Sequence, residues 1–390
     1  VTAGLIVAMV VLPLLAVDLM LPALPALARD LRTSVAMGQV TLSVFAASFA
    51  LMHLIYGPLA DRYGRRPFAL AGLALFCGAS QVAALAPSIE VVLAARVVQG
   101  IGAATGPLLA RAIVRDLYGV GGSGRLMGYL MACFGVGAIT FPVIGGLLVD
   151  HVGWRAAFWF AAACAGAALV TAWRFLPESA PARGDALRFR RFFVGYAALA
   201  IDPRFIVVAA SGCLIASAMF TWISGSSFVI QSVLGYSATV YSLIYGATVV
   251  GFVIMSVISA KLARRTGSHR LVAAGTLIAA TGGVTGVVLG LGVAMTLPLL
   301  LIAIFLMTFG HGFTLPQSMA ASIVPFPQMA ATASALFGAI QYGTGAVLSV
   351  LNGVLFDGTA VPMLAIIGGV TVGSMTLYWC FRARAERAEA

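Results

Sequence analysis

Two ionisable side chains stand inside long apolar stretches of this 390-residue chain: Asp18 in a run near residues 3–27 and Arg96 in a run near 88–116. A formal charge is expensive in an apolar medium, so each is a functional candidate by default. Burial raises a carboxyl's proton affinity and a neighbouring guanidinium lowers it. A carboxylate held in that balance takes up a proton in one state and releases it in another. Bond-breaking chemistry has no comparable support. There is no G-x-x-x-x-G-K-[ST] phosphate loop, no nucleophile elbow and no metal-ligand cluster. Cys77, Cys133, Cys164, Cys213 and Cys380 all fall within apolar runs at no metal-ligand spacing, and read as small packing residues. The chain is therefore expected to be no enzyme and to use no metal or cofactor, only protons as a coupling ion.

The elements that carry these residues are transmembrane helices. Hydrophobic residues make up 61% of the chain, charged residues 9%, and mean hydropathy is +1.05. Soluble domains carry roughly 25% charge, so lipid must be the main solvent. Twelve apolar runs are long enough to span a membrane as helices. They lie near 3–27, 35–60, 66–86, 88–116, 122–149, 153–176, 204–232, 237–263, 270–291, 295–320, 328–354 and 358–381. A β-barrel would instead show alternating segments of about ten residues. The charge is lopsided, with 23 basic residues, all Arg except Lys261, against 12 acids. With the N-terminus inside, most of them fall on the inner side: Arg62, Arg65 and Arg66; Arg115 and Arg125; Arg183, Arg188, Arg190, Arg191 and Arg204; Lys261, Arg264, Arg265 and Arg270; and Arg382, Arg384 and Arg387. The outer loops hold Arg29, Arg32 and Arg155. That asymmetry is the positive-inside pattern, and it removes nucleic acid as a partner. Both termini are expected on the cytoplasmic side.

The polar stretch 177–203 splits the spans six and six. The expected domains are a bundle over 1–176, a cytoplasmic linker over 177–203 and a bundle over 204–390. In the linker, Phe189, Phe192 and Phe193 alternate with Arg, which reads either as a short surface-lying helix or as a solvated connection. The halves also repeat weakly. Gly57–Pro67, GPLADRYGRRP, joins spans 2 and 3, and Ala260–Arg270, AKLARRTGSHR, joins spans 8 and 9. Leu59/Leu262, Ala60/Ala263, Arg62/Arg265 and Gly64/Gly267 align, as expected of a transporter built from two related bundles.

GPLADRYGRRP closely resembles the signature loop G-x-L-A-D-R-x-G-R-R-P of the major facilitator superfamily. Leu93, Arg96, Gln99, Gly100, Gly102 and Ala103 resemble that superfamily's L-x-x-R-x-x-Q-G-x-G-A pattern. Gly137–Gly146 resembles its antiporter motif G-x-x-x-G-P-x-x-G-G through Gly137, Pro142, Gly145 and Gly146, with Phe141 where the motif has Gly. Val17–Pro25, VDLMLPALP, is similar to the D-x-Y-L-P-A-L-P start of the Bcr/CflA drug exporters, with Met20 for Tyr. The resemblance implies an all-α polytopic membrane protein with twelve transmembrane helices in two pseudo-symmetric six-helix bundles. It also implies a monomer in a bacterial cytoplasmic membrane, with lipid around it and a small-molecule substrate.

The same resemblance assigns roles. Spans 1 and 4 face the central cavity in that fold, so Asp18 and Arg96 are expected either to meet there or to share water, with Asp18 coupling protons and Arg96 tuning it. Asp61, Arg65 and Asp116 match a cytoplasmic gate, with Asp61 near the N-terminus of span 11. The antiporter motif supports closure of the outer side. From Leu271 to Phe381 the only formal charge is Asp357, so any binding wall there is apolar, aromatic and weakly polar. Phe45, Phe49, Gln99, Trp222, Tyr245 and Gln341 are the substrate-binding candidates. His53 and His311 read as hydrogen-bonded histidines rather than relays. A cavity with one acid and an apolar lining favours lipophilic neutral or cationic cargo. The expected function is proton-coupled export of such compounds. The rivals are a narrow-specificity exporter of a metabolite, sugar or siderophore and a non-transporting membrane sensor.

Overall fold

The computed structural model describes residues 2–179, 189–292 and 295–386. Among them there are helices and no strands. The order is α1 (Thr2–Val10), α2 (Leu12–Ala16), α3 (Leu24–Asp30), α4 (Val35–Tyr63), α5 (Arg65–Ala84), α6 (Ile89–Ala103), α7 (Thr105–His151), α8 (Trp154–Phe175), α9 (Phe189–Ile201), α10 (Pro203–Phe228), α11 (Ala238–Thr266), α12 (Ser268–Gly292), α13 (Leu297–Ile323), α14 (Ala330–Leu355) and α15 (Val361–Glu386). Twelve stretches within them are long and apolar enough to cross a membrane. Hydrocarbon offers no partner to a backbone N–H or C=O, so a spanning segment must satisfy both within itself, and the helix does that.

Contacts divide the chain into two units. The first is Val1–Leu187 with Ser237–Gly246, and the second is Arg188–Tyr236 with Ala247–Ala390. This differs from a division at 177–203 in two places. The opening turns of α11 group with the first unit. The helix α9 groups with the second, because Leu199 is buried there beside Phe205, Ala209, Cys213 and Phe337. Leu199 of the expected linker is thus part of a core. The side chains of Arg188, Arg190 and Arg191 lie outside the described residues.

Within each unit the same pairings recur. In the first, α5 packs on α6 and on α8, and α1 packs on α7. In the second, α12 packs on α13 and on α15, and α10 packs on α14. The closest approaches use small residues, as expected where lipid supplies no force to push helices together. A Cβ on Gly102 would lie 2.6 Å from the Gly72 carbonyl oxygen, and one on Gly275 would lie 2.9 Å from that of Gly310.

The repeated joint is visible in backbone geometry. Gly64, between α4 and α5, has φ 95° and ψ 158°. Gly267, between α11 and α12, has φ 79°. Only glycine adopts the Gly64 conformation without strain. A Cβ there would also come within 2.6 Å of Glu178 Oε2, while Gly267 has nothing within 4 Å. Gly64→Ala should therefore destabilise the protein by about 1–3 kcal/mol from backbone strain, with the Glu178 clash added. Gly267→Ala should cost less. Thermal melts of the purified variants in one detergent check the order, and equal losses would contradict it.

Candidate functional site

Asp18 sits at a break in the first span. Pro22 and Pro25 have no N–H, so the carbonyls of Asp18 and Leu21 lose their helical donors. The chain turns through residues 17–20 and re-forms as a short 3-10 segment, Leu21–Ala23, before α3. In that turn the Leu19 N–H reaches Leu14 O at 3.2 Å, and the N–H groups of Met20 and Leu21 both donate to Val17 O, at 3.0 and 3.1 Å. The Met20 N–H that would have closed on Ala16 O is thereby diverted.

Arg96 supplies the donor that Ala16 lacks. Its Nη1 donates to Ala16 O at 2.6 Å and to Gln99 Oε1 at 3.0 Å, and its Nε donates to Thr41 O at 3.1 Å. Gln99 Nε2 passes the chain on to Ser80 Oγ at 2.7 Å. The guanidinium lies over the Phe45 ring, 4.8 Å from its centroid. One side chain that is 1% exposed thus ties together α2, α4, α5 and α6. Hydrogen bonds from a charged donor contribute about 1.5–3 kcal/mol each, and several together hold an ion in an apolar interior. A direct meeting of Arg96 with Asp18 is thus not what is found. Among the described residues no ion pair joins Arg96 to Asp18. Arg96 bonds the backbone two residues before it, because the diverted carbonyl is the acceptor that the helix break creates.

The partner of Asp18 is instead Tyr245, whose hydroxyl donates to Oδ1 at 2.9 Å. Both side chains are buried. Tyr245 is held by the way α11 begins. Asp150, at the end of α7, accepts the N–H groups of Ala238 and Thr239 at 3.2 and 2.9 Å. That caps α11 with a carboxylate, favoured by the free N–H groups and the helix dipole. The antiporter-like glycines complete the seat. A Cβ on Gly145 would strike the Leu19 carbonyl, and one on Gly146 would lie 2.7 Å from Ala238 O. Pro142 lies within α7, where it takes the helical donor from the Ala138 carbonyl. Phe141 lays its ring back over Gly137, where a Cβ would lie 3.0 Å from Cε2. The one departure from the motif therefore fills space within its own helix.

At the other end of the first unit, Arg65 Nε donates to Asp116 Oδ2 at 3.3 Å. Ser179 Oγ donates to the same oxygen at 3.3 Å. Glu178 Oε1 and Oε2 accept the Arg65 and Arg66 N–H groups at 2.7 and 3.1 Å, capping α5. The structure thus brings Arg65 and Asp116 together and adds Glu178. The side chain of Asp61 lies outside the described residues.

The substrate candidates separate. Phe45 stacks on Phe49 at 5.8 Å, and Phe49 lies 4.4 Å from His53, whose Nδ1 is 3.1 Å from Phe49 O. Gln99 is engaged by Arg96 and Ser80, and Tyr245 by Asp18. These four belong to the first unit. Trp222, fully buried on α10, and Gln341, partly buried on α14, belong to the second. Asp150 and Glu178 were missed from sequence. A carboxylate at or just past the end of a helix is the only signal, and it does not say which helix start it meets.

Comparison with known proteins gives a consistent picture. The sequence profile of the Major Facilitator Superfamily matches residues 6–350. Multidrug resistance protein D of Escherichia coli K12 is 30% identical over 338 residues, 86% of this chain and 84% of that protein. A bicyclomycin resistance protein homolog of Haemophilus influenzae is 24% identical over 381 residues, 96% of this chain and 94% of that protein. Among solved structures, a POT family transporter in complex with a thioalcohol-conjugated peptide superposes with a TM-score of 0.81 at 14% identity, covering 99% of this chain and 97% of that one. At that identity the likeness is one of fold.

Two substitutions check the geometry. Arg96→Lys keeps the charge but lacks the planar fork that reaches Ala16 O, Thr41 O and Gln99 together, so the folded yield should fall sharply. Glu178→Ala removes a helix cap and should lower stability by about 1 kcal/mol. Thermal melts in detergent read both, and an Arg96→Lys protein as stable as the parent would contradict the bracing role.

Proposed function

This chain belongs to the Major Facilitator Superfamily, and from that premise we propose that it exports small amphiphilic or lipophilic compounds, drugs among them, in exchange for protons by alternating access. The observation that carries the coupling is the environment of Asp18. It is a buried carboxyl at a break in a spanning helix, and its partner is a neutral hydroxyl. A carboxylate accepts from that hydroxyl, and a protonated carboxyl still has an acceptor oxygen to offer it. A proton can thus arrive or leave without an ion pair being broken. Arg96 holds the break in shape and does not compete for the proton.

The remaining residues fit around that step. Arg65 and Asp116, with Asp61 on the last turn of α4, form the cytoplasmic gate. Gly137, Pro142, Gly145 and Gly146 let span 5 close against the Asp18 turn and the start of α11. Phe45, Phe49, Trp222, Tyr245 and Gln341 offer aromatic and weakly polar surface to cargo, and Gln99 acts through Arg96. The names of the two bacterial relatives support drug cargo. The basic inner loops support a cytoplasmic-membrane protein with both termini inside. No bond in the cargo is made or broken, and a monomer suffices.

The test is transport in proteoliposomes with an imposed pH gradient, over a panel of amphiphilic compounds. The parent should accumulate cargo only while the gradient stands. Asp18→Asn should lose gradient-driven transport to near background yet keep cargo exchange across a membrane without a gradient. Full gradient-driven transport by Asp18→Asn would refute the coupling role.

A further inference from the structure

Among the described residues of the second unit no carboxylate is buried as Asp18 is, but this unit has unsatisfied polar groups of its own. His311 lies at the middle of α13 and is 6% exposed. Neither Nδ1 nor Nε2 has a hydrogen-bond partner. The other three histidines differ. His53 Nδ1 lies 3.1 Å from Phe49 O, His151 Nδ1 lies 2.9 Å from Leu147 O, and His269 Nδ1 lies 3.0 Å from the Tyr378 hydroxyl. An expected hydrogen-bonded histidine is thus found without its bonds.

Two nearby hydroxyls share the condition. Thr308 Oγ1, one turn earlier on α13, has no partner, and neither has Ser256 Oγ on α11. Pro316, inside α13, removes the helical donor for the Gly312 carbonyl. The two helices are in close contact at this level. A Cβ on Gly312 would lie 2.9 Å from Phe252 O and 3.2 Å from Ser256 N. The His311 ring faces that of Phe252, with centroids 4.7 Å apart and planes at 31°. This stretch of α13 and α11 thus holds one imidazole and two hydroxyls without partners, with the imidazole against an aromatic ring.

Each buried polar group left unbonded costs about 1–3 kcal/mol. Native proteins carry few, and each calls for an explanation. Several in one layer, halfway along a spanning helix, is the placement of a transporter's binding site, which lies near the bilayer midplane. We infer that His311, with Thr308, Ser256 and the Phe252 ring, is a subsite that takes a neutral polar group of the cargo, such as a carbonyl, amide or hydroxyl carried on an apolar body. A neutral imidazole offers one donor and one acceptor, and each hydroxyl offers either. Neither α13 nor the stretch of α11 around Phe252 and Ser256 bears a charge, so the subsite selects hydrogen-bonding groups over ionic ones. This rests on the transport reading for its biological meaning, but it concerns binding alone.

The test therefore measures binding, with no gradient, by equilibrium dialysis of radiolabelled probes against the purified full chain. Chloramphenicol is a neutral probe with an amide and hydroxyls, and tetraphenylphosphonium is a lipophilic cation with no hydrogen-bonding group. His311→Ala should weaken chloramphenicol about tenfold, the loss of one to two hydrogen bonds, and leave tetraphenylphosphonium within about twofold. His311→Gln, which keeps a donor and an acceptor, should recover most of the chloramphenicol binding. Thr308→Val should shift the same probe in the same direction. Equal weakening of both probes, no weakening of either, or no saturable chloramphenicol binding to the parent would overturn the inference. If the parent binds selectively but shows no gradient-driven transport, the transport reading fails and the subsite stands.

Discussion

A backbone carbonyl stripped of its helical donor inside a membrane must find another, because hydrocarbon offers none. The first unit is organised by that constraint. Pro22 and Pro25 force a turn at residues 17–20, the turn diverts the Met20 N–H, and the Ala16 carbonyl is left for Arg96. A guanidinium can be buried here because it meets two carbonyls and a side-chain amide at once. The same bonds fix which helices lie beside the break. Asp18 thus stands on a turn whose shape is held by a charge that never touches its carboxyl.

The helix ends follow the same logic with the opposite sign. Free N–H groups at the start of α5 and α11 are met by Glu178 and Asp150, the first from just past the end of α8 and the second from the end of α7. These caps place the Gly57–Pro67 joint next to Asp116 and place Tyr245 over Asp18. The glycines of the antiporter-like stretch let backbones meet where any side chain would collide. In the second unit, Pro316 frees a carbonyl as Pro22 does. Among the described residues no arginine is seen to answer it, and the side chains of His311, Thr308 and Ser256 stay without partners.

Much of this was legible in the sequence. Twelve apolar runs between charged turns can only be spans, since a helix closes its own hydrogen bonds and leaves its signature in a contiguous window. Gly64 and Gly267 were legible as one repeated turn, since a positive φ demands the same residue twice. Arg96 and Asp18 stood out as charges in hydrocarbon. Their partners did not, because a hydrogen bond to a backbone carbonyl leaves no trace in residue identity. Tyr245 lies 227 positions from Asp18, and nothing local distinguishes it from Tyr241. For the same reason the sequence did not show that the Gln99 amide bonds Arg96 and Ser80.

The central claim is that Asp18 holds and surrenders the coupling proton. It is tested most directly by adding cargo to the purified protein in lightly buffered detergent and following pH with an indicator dye. The parent should release protons as cargo binds, saturating with occupancy, and Asp18→Asn should bind the same cargo and release none. Undiminished proton release by Asp18→Asn would contradict the account and move the coupling site elsewhere in the chain.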